Sequence, residues 1–459
     1  MHDWQVDKKH TCVQPESCRA MPEKEKPPAM RVDLYLLTLC ILRVKIFKKT
    51  KRVCDFMYSK SEVLEYIESE DVKFIKLAFC DVFGVQKNIS ILSTELERAF
   101  ERGISFDASA ICGFGDEAVS DLFLFPDPST IEVLPWRPTQ GKVVRMICDI
   151  KKPDGTPFES DTRHILKDAV SFARKKGIEL KMGSEFEFYL FKTDDEGNPT
   201  DETFDNAGYF DIAPFDRGEN VRREICLTLE NMDIYPESSH HEEGPGQNEI
   251  DFKPSEPLSS ADNALTFKSV TQTIAAKNGL YASFMPKPVK ASSGNGMHIN
   301  ISLSDKSQTN SFIAGILENI RGITAFLNPT KESYIRLGEK KAPLYITWAE
   351  GNRSQLIRIP AETEARSRFE LRSPDPTANP YLAYALLIYA GAEGVASKKT
   401  LGSPCNLNLY NAEKSVTEAL LRLPETLEEA ISLAKESDIV KKYMPQSLLE
   451  AFEKNNKPE

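Results

Sequence analysis

The sequence predicts an α+β fold, because short strand-like runs and longer helical segments succeed one another along most of its 459 residues. Runs such as VKFIKLAFCD and SEFEFYLF alternate in part between apolar and polar residues, as strands with one wet face do. Segments such as DTRHILKDAVSFARKKG repeat apolar residues at helical spacing. Shifts in composition divide the chain into an extension (residues 1–56), a small domain (57–150) and a large domain (151–459).

The small domain is predicted to begin with a short helix, SKSEVLEYIESE, capped by Ser59 or Ser61. The next stretch, VKFIKLAFCDVFGVQKNISIL, predicts a β-hairpin that turns at Gly84. STELERAFERG predicts a second helix, and SFDASAICGFG, rich in small residues, predicts a loop. A proline-rich stretch then leads to a last strand, KVVRMICDI.

The large domain opens with a helix that Asp161 or Thr162 caps and that ends before Gly177. Four further helices are predicted, at NVRREICLTLENM, DNALTFKSVTQTIAAKNG, SFIAGILENIRGITAFL and the almost wholly apolar NPYLAYALLIYAGAEGV. Predicted strands are SEFEFYLF, SGNGMHINISL, SQLIRIP and SRFELRSPDP.

Residues 1–56 differ from the rest of the chain, with 12 basic residues against 7 acidic ones. MPEKEKPPAMR is typical of a flexible tail, and the apolar residues 34–47 are too short to span a bilayer. We therefore expect a poorly ordered extension, or an upstream misread start, with the folded protein beginning near Met57.

The overall composition is that of an ordinary globular protein, with 41% hydrophobic and 28% charged residues. A net charge of −11 argues against a nucleic-acid surface, and no apolar run predicts a membrane span. Nine scattered cysteines without a CxxC pair indicate reduced thiols, so a cytoplasmic location is expected.

Residues 240–252, HHEEGPGQNEIDF, contain the most concentrated chemistry in the sequence. The Gly-Pro-Gly break between Glu242 and Glu249 predicts a bend that brings the two carboxylates to one centre. Carboxylates held together in a partly dry site need a cation, and Mg²⁺ and Mn²⁺ prefer such oxygen ligands. Taken alone, the segment fits a solvated acidic loop equally well.

Three predicted strands each carry a charge-rich face, because strand side chains alternate between the two faces of a sheet. The residues that share a face are Glu185 and Glu187 in the first strand and His298, Asn300 and Ser302 in the second. In the third strand they are Arg368, Glu370 and Arg372. One wet side of an ordinary sheet would explain any single strand. Repeated glutamates with one histidine favour a sheet or partial barrel whose charged faces converge on metal ions and an anionic ligand.

Five arginines accompany these strands in the sequence: Arg336, Arg353, Arg358, Arg368 and Arg372. The planar guanidinium group suits carboxylates and phosphates, although each arginine alone could form a structural ion pair. Metal-binding carboxylates beside arginines indicate phosphoryl transfer from a nucleotide. The sequence has neither a Walker A motif nor a GxGxxG after a strand, so we expect neither a P-loop nor a Rossmann site.

From about Met57 to its C-terminus the sequence resembles class I glutamine synthetases, specifically the shorter bacterial and archaeal type. The resemblance rests on FDASAICGF, GSEFEFYLF, HHEEGPGQNEIDF, SGNGMHINISL, NRSQLIRIP and RFELRSPDPTANPYL, in the family's order. It implies a small β-grasp N-terminal domain and a large catalytic domain, in which helices surround a partial barrel of mostly antiparallel strands. It also implies a dodecamer of two hexameric rings, with active sites between neighbouring subunits.

The implied reaction joins glutamate and ammonia at the expense of ATP, giving glutamine, ADP and phosphate through a γ-glutamyl phosphate. Two or three Mg²⁺ or Mn²⁺ ions per site are implied, with ATP as co-substrate. The resemblance assigns one metal to Glu187, Glu242 and Glu249, and the metal on the ATP phosphates to Glu185, His298 and Glu370.

The remaining roles that the resemblance implies concern the substrates. Arg336 and Arg372 would grip the glutamate carboxylates, with Gly294 against the amino group. Arg353, Arg358 and Arg368 would contact phosphate groups, and Ser302 would lie near the nucleotide. Asp107, from the neighbouring subunit, would help to deprotonate ammonium.

One position departs from the family's pattern. The family has a mobile flap that ends in a glutamate just before Ala-Pro, and here the flap reads RLGEKKAP, with Lys341 in that place. A lysine would repel ammonium, and Glu339, two residues earlier, is the candidate substitute if the flap shifts. We expect a working enzyme that tolerates the change. The alternatives are a ligase for a larger amine such as a polyamine, and a catalytically weak sensor or scaffold.

Overall fold

The computed structural model describes residues 58–115, 120–137, 140–361 and 368–455. The predicted extension, residues 1–56, lies outside these ranges, and the predicted boundary at residue 150 stays a prediction. No helix in the described ranges is long and apolar enough to cross a membrane.

The helices are α1 (Lys60–Ser69), α2 (Leu96–Arg102), α3 (Thr162–Lys175), α4 (Glu219–Asn231), α5 (Pro257–Lys277), α6 (Thr309–Leu327), α7 (Lys331–Arg336), α8 (Pro380–Ala396), α9 (Lys414–Thr417), α10 (Leu427–Glu436), α11 (Asp438–Tyr443) and α12 (Gln446–Asn455). Ser59 caps α1 as predicted, and Glu62 returns the hydrogen bond to the Ser59 amide, which completes a capping box. Asp161 caps α3 by accepting from the Arg163 amide.

The strands are β1 (Val72–Cys80), β2 (Gln86–Leu92), β3 (Ile104–Asp107), β4 (Asp121–Pro126), β5 (Glu132–Val133), β6 (Lys142–Lys151), β7 (Leu180–Thr193), β8 (Pro199–Thr203), β9 (Pro236–His241), β10 (Gln247–Phe252), β11 (Leu280–Ser283), β12 (Met297–Leu303), β13 (Trp348–Glu350), β14 (Ile357–Ile359) and β15 (Phe369–Leu371). They form two sheets.

The small sheet has the order β2-β1-β6-β4-β3, with β5 beside β6. β1 and β2 form the predicted antiparallel hairpin, whereas β1 and β6 are parallel. The prediction of a loop at SFDASAICGFG was wrong at its start, because Ile104–Asp107 pairs with β4. Ile104 is buried and Ser105 exposed, so this short alternation was hidden by the small residues that follow it.

The large sheet has the order β13-β14-β15-β12-β7-β10-β9, with β8 and β11 also paired to β7. Among the described residues, its strand pairs are antiparallel except β13 with β14. The sheet curls into the expected partial barrel, with helices packed around it. β7 runs well beyond the predicted SEFEFYLF because it is the central strand and pairs along its whole length with its neighbours.

The core behind the large sheet is formed by buried helices. α8 is buried along almost its whole length, as its apolar sequence predicted. It lies very close to α6, since a Cβ added to Gly391 would stand 2.2 Å from the Phe312 ring. This packing gives the catalytic strands a rigid support.

Candidate active site

The predicted polar faces of three strands converge on one face of the large sheet. Glu185 lies opposite His298, Glu187 opposite Glu249, and Glu370 opposite Asn300. Residues directly opposite one another in an antiparallel pair share a face and place their Cβ atoms about 5 Å apart. The strand register therefore assembles the carboxylates and the histidine into one cluster.

The bend at the Gly-Pro-Gly break joins β9 and β10 as a tight hairpin. The Gln247 amide donates to the Gly244 carbonyl at 2.9 Å, and the Glu242 amide donates to the Gln247 carbonyl at 2.8 Å. Gly246 has φ +70°, and a Cβ there would stand 2.9 Å from the Leu190 carbonyl oxygen. The chain needs glycine at this point for both conformation and space, and the turn brings Glu242 and Glu249 together.

The first group of candidate metal ligands is Glu185, His298 and Glu370, whose ligand atoms lie within 4.8 Å of one another. His298 Nδ1 lies 3.3 Å from a Glu185 oxygen and 3.4 Å from a Glu370 oxygen. The Asn300 amide donates to the other Glu185 oxygen at 2.8 Å, which orients that carboxylate.

The remaining three predicted ligands are divided between two further groups that share Glu249. The ligand atoms of Glu187, Glu249 and His298 lie within 4.8 Å of one another, and so do those of Glu242, Glu249 and His240. Glu187 accepts from the Gly296 amide at 2.8 Å and from Gln247 Nε2 at 3.2 Å. The six predicted metal ligands thus fall into three overlapping groups, and Glu187 and Glu242 share no group but are linked through Glu249.

The charge of the cluster fits divalent cations. Burial, together with the carboxylates of Asp251, Glu187 and Glu185, raises the pKa of Glu249 well above its ordinary value. Carboxylates crowded in this way repel one another unless positive charge is supplied. Oxygen donors with one imidazole suit Mg²⁺ or Mn²⁺.

Two arginines contact the carboxylate cluster at Glu370. Arg372 Nη1 donates to Glu370 Oε1 at 2.5 Å, and Arg358 Nη1 donates to Glu370 Oε2 at 2.8 Å. Burial opposes ionisation of Glu370, but Arg372, His298 and Arg358 lower its pKa to about 2. The Nε atoms of Arg358 and Arg372 are buried without a hydrogen-bond partner in the described ranges, so both have a donor left for a ligand.

Arg336 is the other fully buried arginine of the predicted set. It is 2% exposed and donates to the Ser373 carbonyl at 2.7 Å. Gly294 lies against it, since a Cβ there would stand 2.9 Å from Arg336 Cγ. A side chain at residue 294 would therefore collide with the aliphatic part of the Arg336 side chain.

The other predicted residues lie farther from the carboxylate cluster. Ser302 continues the polar face of β12 beyond Asn300, and Arg368 lies 3.7 Å from Glu237. Arg353 is exposed. Asp107 is also exposed, at the end of β3 in the small sheet, where it accepts from Ser109. Its contribution to a neighbouring subunit stays a prediction.

The flap places Lys341 at the edge of the cluster. Lys341 Nζ lies 2.8 Å from Glu242 Oε2 and 3.4 Å from Glu243 Oε1. Glu339, the suggested substitute for the missing glutamate, instead forms an ion pair with Lys287. In this conformation the flap therefore adds a cation to the carboxylate cluster, and Glu339 is bound to a lysine.

Two residues of the cluster were missed from the sequence. His240 Nε2 lies 3.5 Å from Glu249. Asp251 lies opposite Glu185 in the sheet, and its ligand atom lies within 4.8 Å of those of Glu185 and Glu249. Asp251 follows Glu249 at a spacing of two, so strand alternation alone would have placed it on the same face.

Comparison with known proteins shows which family this chain is similar to. Residues 71–153 match the family model "Glutamine synthetase, beta-Grasp domain", and residues 159–459 match "Glutamine synthetase, catalytic domain". Glutamine synthetase of Methanosarcina mazei is 45% identical over 413 residues, which cover 86% of this chain and 92% of the relative. That of Clostridium saccharobutylicum is 44% identical over 405 residues, which cover 84% and 91%.

Solved structures share the same fold. A structure described as a GmaS/ADP complex superposes with a TM-score of 0.77 at 26% identity and covers 86% of this chain and 94% of its own. Plasmodium falciparum glutamine synthetase, at 24% identity, superposes with a TM-score of 0.76 and covers 87% and 96%.

Fold and comparisons together define an ATP-dependent ligase, whose large sheet carries a cluster of carboxylates beside buried arginines. The chain belongs to the glutamine synthetase family, as its sequence motifs predicted.

Proposed function

We propose that this protein joins ammonia to the side-chain carboxylate of L-glutamate through a γ-glutamyl phosphate and forms glutamine, ADP and phosphate. The observation that carries the proposal is Glu370, which links the carboxylate cluster to two arginines at 2.5 and 2.8 Å. A site that holds metal ions and oxyanions side by side suits phosphoryl transfer to a carboxylate.

Two metal sites are part of the proposal, at Glu187, Glu242 and Glu249 and at Glu185, His298 and Glu370. The ligand atoms of Glu185, His298 and Glu370 lie within 4.8 Å of one another, and Glu249 belongs both to the group of Glu187 and to that of Glu242. Burial and neighbouring carboxylates raise the pKa of Glu249, which also supports this assignment. Bound Mg²⁺ or Mn²⁺ would neutralise charge on the phosphate groups of ATP.

The residues of the chain then have separate tasks in the reaction. Arg336 and Arg372 hold the carboxylates of glutamate, with the amino group beside Gly294. The side-chain carboxylate attacks the γ-phosphorus of ATP, and ADP leaves. Arg353, Arg358 and Arg368 offset the charge of the transferring phosphoryl group, with the nucleotide near Ser302.

Ammonia next attacks the acyl carbon, and phosphate leaves with its electron pair. Ammonium must first lose a proton, which passes to a carboxylate, and we assign this role to Asp107 of a neighbouring subunit. Its exposed place in the small sheet is compatible with supply from another copy. We propose that the protein assembles as a homo-oligomer, a dodecamer, and is cytoplasmic. We also propose a domain boundary near residue 150.

Lys341 gives one specific reason for a second candidate function. The alkylammonium group of this lysine lies against Glu242 and Glu243. The same two carboxylates would therefore also suit the ammonium group of a substrate amine larger than ammonia. A glutamate–amine ligase would share the metal and phosphate residues. A weakly catalytic sensor or scaffold is disfavoured because all six metal ligands are retained.

Phosphate release by the full-length protein from ATP, glutamate and Mg²⁺ tests the proposal, with ammonium present or absent. We expect release that ammonium stimulates, with glutamine as the product. The Glu370→Gln variant is the control, and it should release little phosphate with any amine. Stimulation by putrescine or methylamine but not by ammonium would favour the amine ligase, and no stimulation by any amine would leave the sensor or scaffold.

A further inference from the structure

The flap residue Lys341 places its ammonium group beside the carboxylates of Glu242 and Glu243. Its Nζ is 2.8 Å from Glu242 Oε2, 3.4 Å from Glu243 Oε1 and 4.5 Å from the centre of the Tyr209 ring. The Lys341 side chain is 27% exposed and that of Glu242 only 5%. A pair shielded in this way is screened by salt and water much less than a surface pair.

The backbone of the flap holds Lys341 in that position. Lys341 has φ +70°, in the left-handed region that a lysine seldom adopts. The flap turn is closed by the Ala342 amide, which donates to the Glu339 carbonyl at 3.0 Å, and Arg372 donates to the Lys341 carbonyl at 3.4 Å. An unfavourable conformation persists where its surroundings require it, here where it aims Nζ at Glu242.

A second ion pair fastens the same flap to a neighbouring loop. The Lys287 ammonium is buried, pairs with Glu339 and donates to the Ser292 carbonyl at 2.5 Å. The flap is therefore held at two points of opposite charge, and the second contact keeps Lys341 close to Glu242.

The carboxylate that Lys341 contacts is one of the proposed metal ligands. A divalent ion bonds carboxylate oxygens at about 2.0–2.6 Å, and the ammonium already lies 2.8 Å from Glu242 Oε2. Both cations therefore depend on the negative charge of one side chain, and they repel each other there.

We propose that Lys341 is a built-in cation that shares Glu242 with a divalent metal ion and weakens binding of that ion. The inference rests on the metal assignment of the proposed function. A site of this kind binds one of its ions less tightly than a site with a neutral or acidic flap residue.

Binding of Mn²⁺ to the full-length protein without substrates tests the inference, with free Mn²⁺ measured by its electron paramagnetic resonance signal. Lys341→Met removes the charge and keeps most of the chain length. We expect one class of Mn²⁺ site to bind roughly tenfold more tightly, the effect of one nearby charge. Lys340→Met is the matched control, because this neighbouring flap lysine is 76% exposed, and its Mn²⁺ affinity should stay unchanged.

A double-mutant cycle shows whether the competition occurs at Glu242. In a Glu242→Gln background, Lys341→Met should give little gain, because the shared carboxylate is gone. Unchanged or weaker Mn²⁺ binding by Lys341→Met overturns the inference and leaves the proposed function standing. A gain that persists in the Glu242→Gln background also overturns it, whereas no Mn²⁺ binding by any variant overturns both the inference and the metal assignment.

Discussion

At the scale of residues, the site is a balance between crowded carboxylates and a few buried cations. Glu370 stands at the boundary, because it contacts Arg358 and Arg372 on one side and His298 on the other. Lys341 repeats this arrangement at Glu242. Charge that is neutralised by arginine is permanent, whereas charge that is neutralised by the flap depends on where the flap lies.

Replacement of Lys341 by glutamate should make the site a better binder of ammonium. The variant places a carboxylate beside Glu242 and Glu243 and changes the local charge by two units, from +1 to −1. The KM for ammonium should therefore fall at least about tenfold, with a smaller effect on kcat. Steady-state kinetics with ammonium as the varied substrate measure this. Lys340→Glu is the control, since its exposed side chain is screened by water. An unchanged KM in Lys341→Glu would show that Lys341 does not border the path of ammonium.

At the scale of elements, the hairpin between β9 and β10 sets the positions of two metal ligands. Its turn requires glycine at residue 246, where φ is +70° and a Cβ would stand 2.9 Å from the Leu190 carbonyl. Displacement of this turn shifts Glu242 before it and Glu249 after it. Fold stability and metal affinity are therefore coupled in this one turn.

Gly246→Ala should lower the free energy of unfolding by about 1–3 kcal/mol and weaken Mn²⁺ binding together. Gly155→Ala is the control, since Gly155 also has a positive φ (+82°) but nothing within 4 Å of an added Cβ, and it lies outside the site. We expect the control to lose some stability and no Mn²⁺ affinity. Denaturant unfolding and Mn²⁺ titration measure both, and full Mn²⁺ affinity in Gly246→Ala would contradict the coupling.

The same elements show what sequence can and cannot predict. Alternation along β7, β12 and β15 was sufficient to sort Glu185, His298 and Glu370 onto charged faces, because the side-chain period of a strand is two. Which strands pair, and in what register, came from the resemblance and the structure. The partner of Glu339 could not be predicted, since Lys287 is 52 residues away and meets it only through loop geometry.

At the scale of the whole molecule, one buried arginine joins the small sheet to the large domain. Arg163, 3% exposed at the start of α3, lies 2.9 Å from Asp127 and Asp149 and 3.0 Å from Asp262. Asp149 belongs to β6, whereas Asp262 belongs to α5 and accepts from Tyr381 of α8 at 2.6 Å. The position of the small sheet relative to the site therefore depends on this network.

Arg163→Met should destabilise the fold by about 3–5 kcal/mol, because Asp262 loses its ion-pair partner, whereas Lys167 still pairs with Asp149 and Asp127. Arg174→Met, on the same helix, removes a pair with Glu256 that is exposed on both sides, and it should cost at most about 1 kcal/mol. Urea unfolding of the two variants and the parent measures the difference. Equal stabilities of the two variants would show that the network contributes no more than a surface pair.

The same network should make stability depend on acid. Burial opposes the charge of Asp127, but Arg163, a hydrogen bond from Ser129 and the Lys167 ammonium together hold the pKa of this carboxyl below its ordinary 3.8. A carboxyl with a lowered pKa stabilises the fold above its unfolded pKa and loses that contribution as the pH falls. Unfolding free energy should therefore fall from about pH 5 to about pH 3. The fall should be shallower in Arg163→Met, and identical slopes would contradict the role of Arg163.

The central claim is that this site activates glutamate by phosphorylating its side-chain carboxylate. Glutamate labelled with ¹⁸O in that carboxylate, incubated with the full-length protein, ATP, Mg²⁺ and ammonium, tests it most directly. If a γ-glutamyl phosphate forms, the oxygen that bridges to phosphorus leaves with the phosphate, so mass spectrometry should find one ¹⁸O in each phosphate released. Phosphate released without ¹⁸O would mean that ATP is hydrolysed by water, and it would contradict the account.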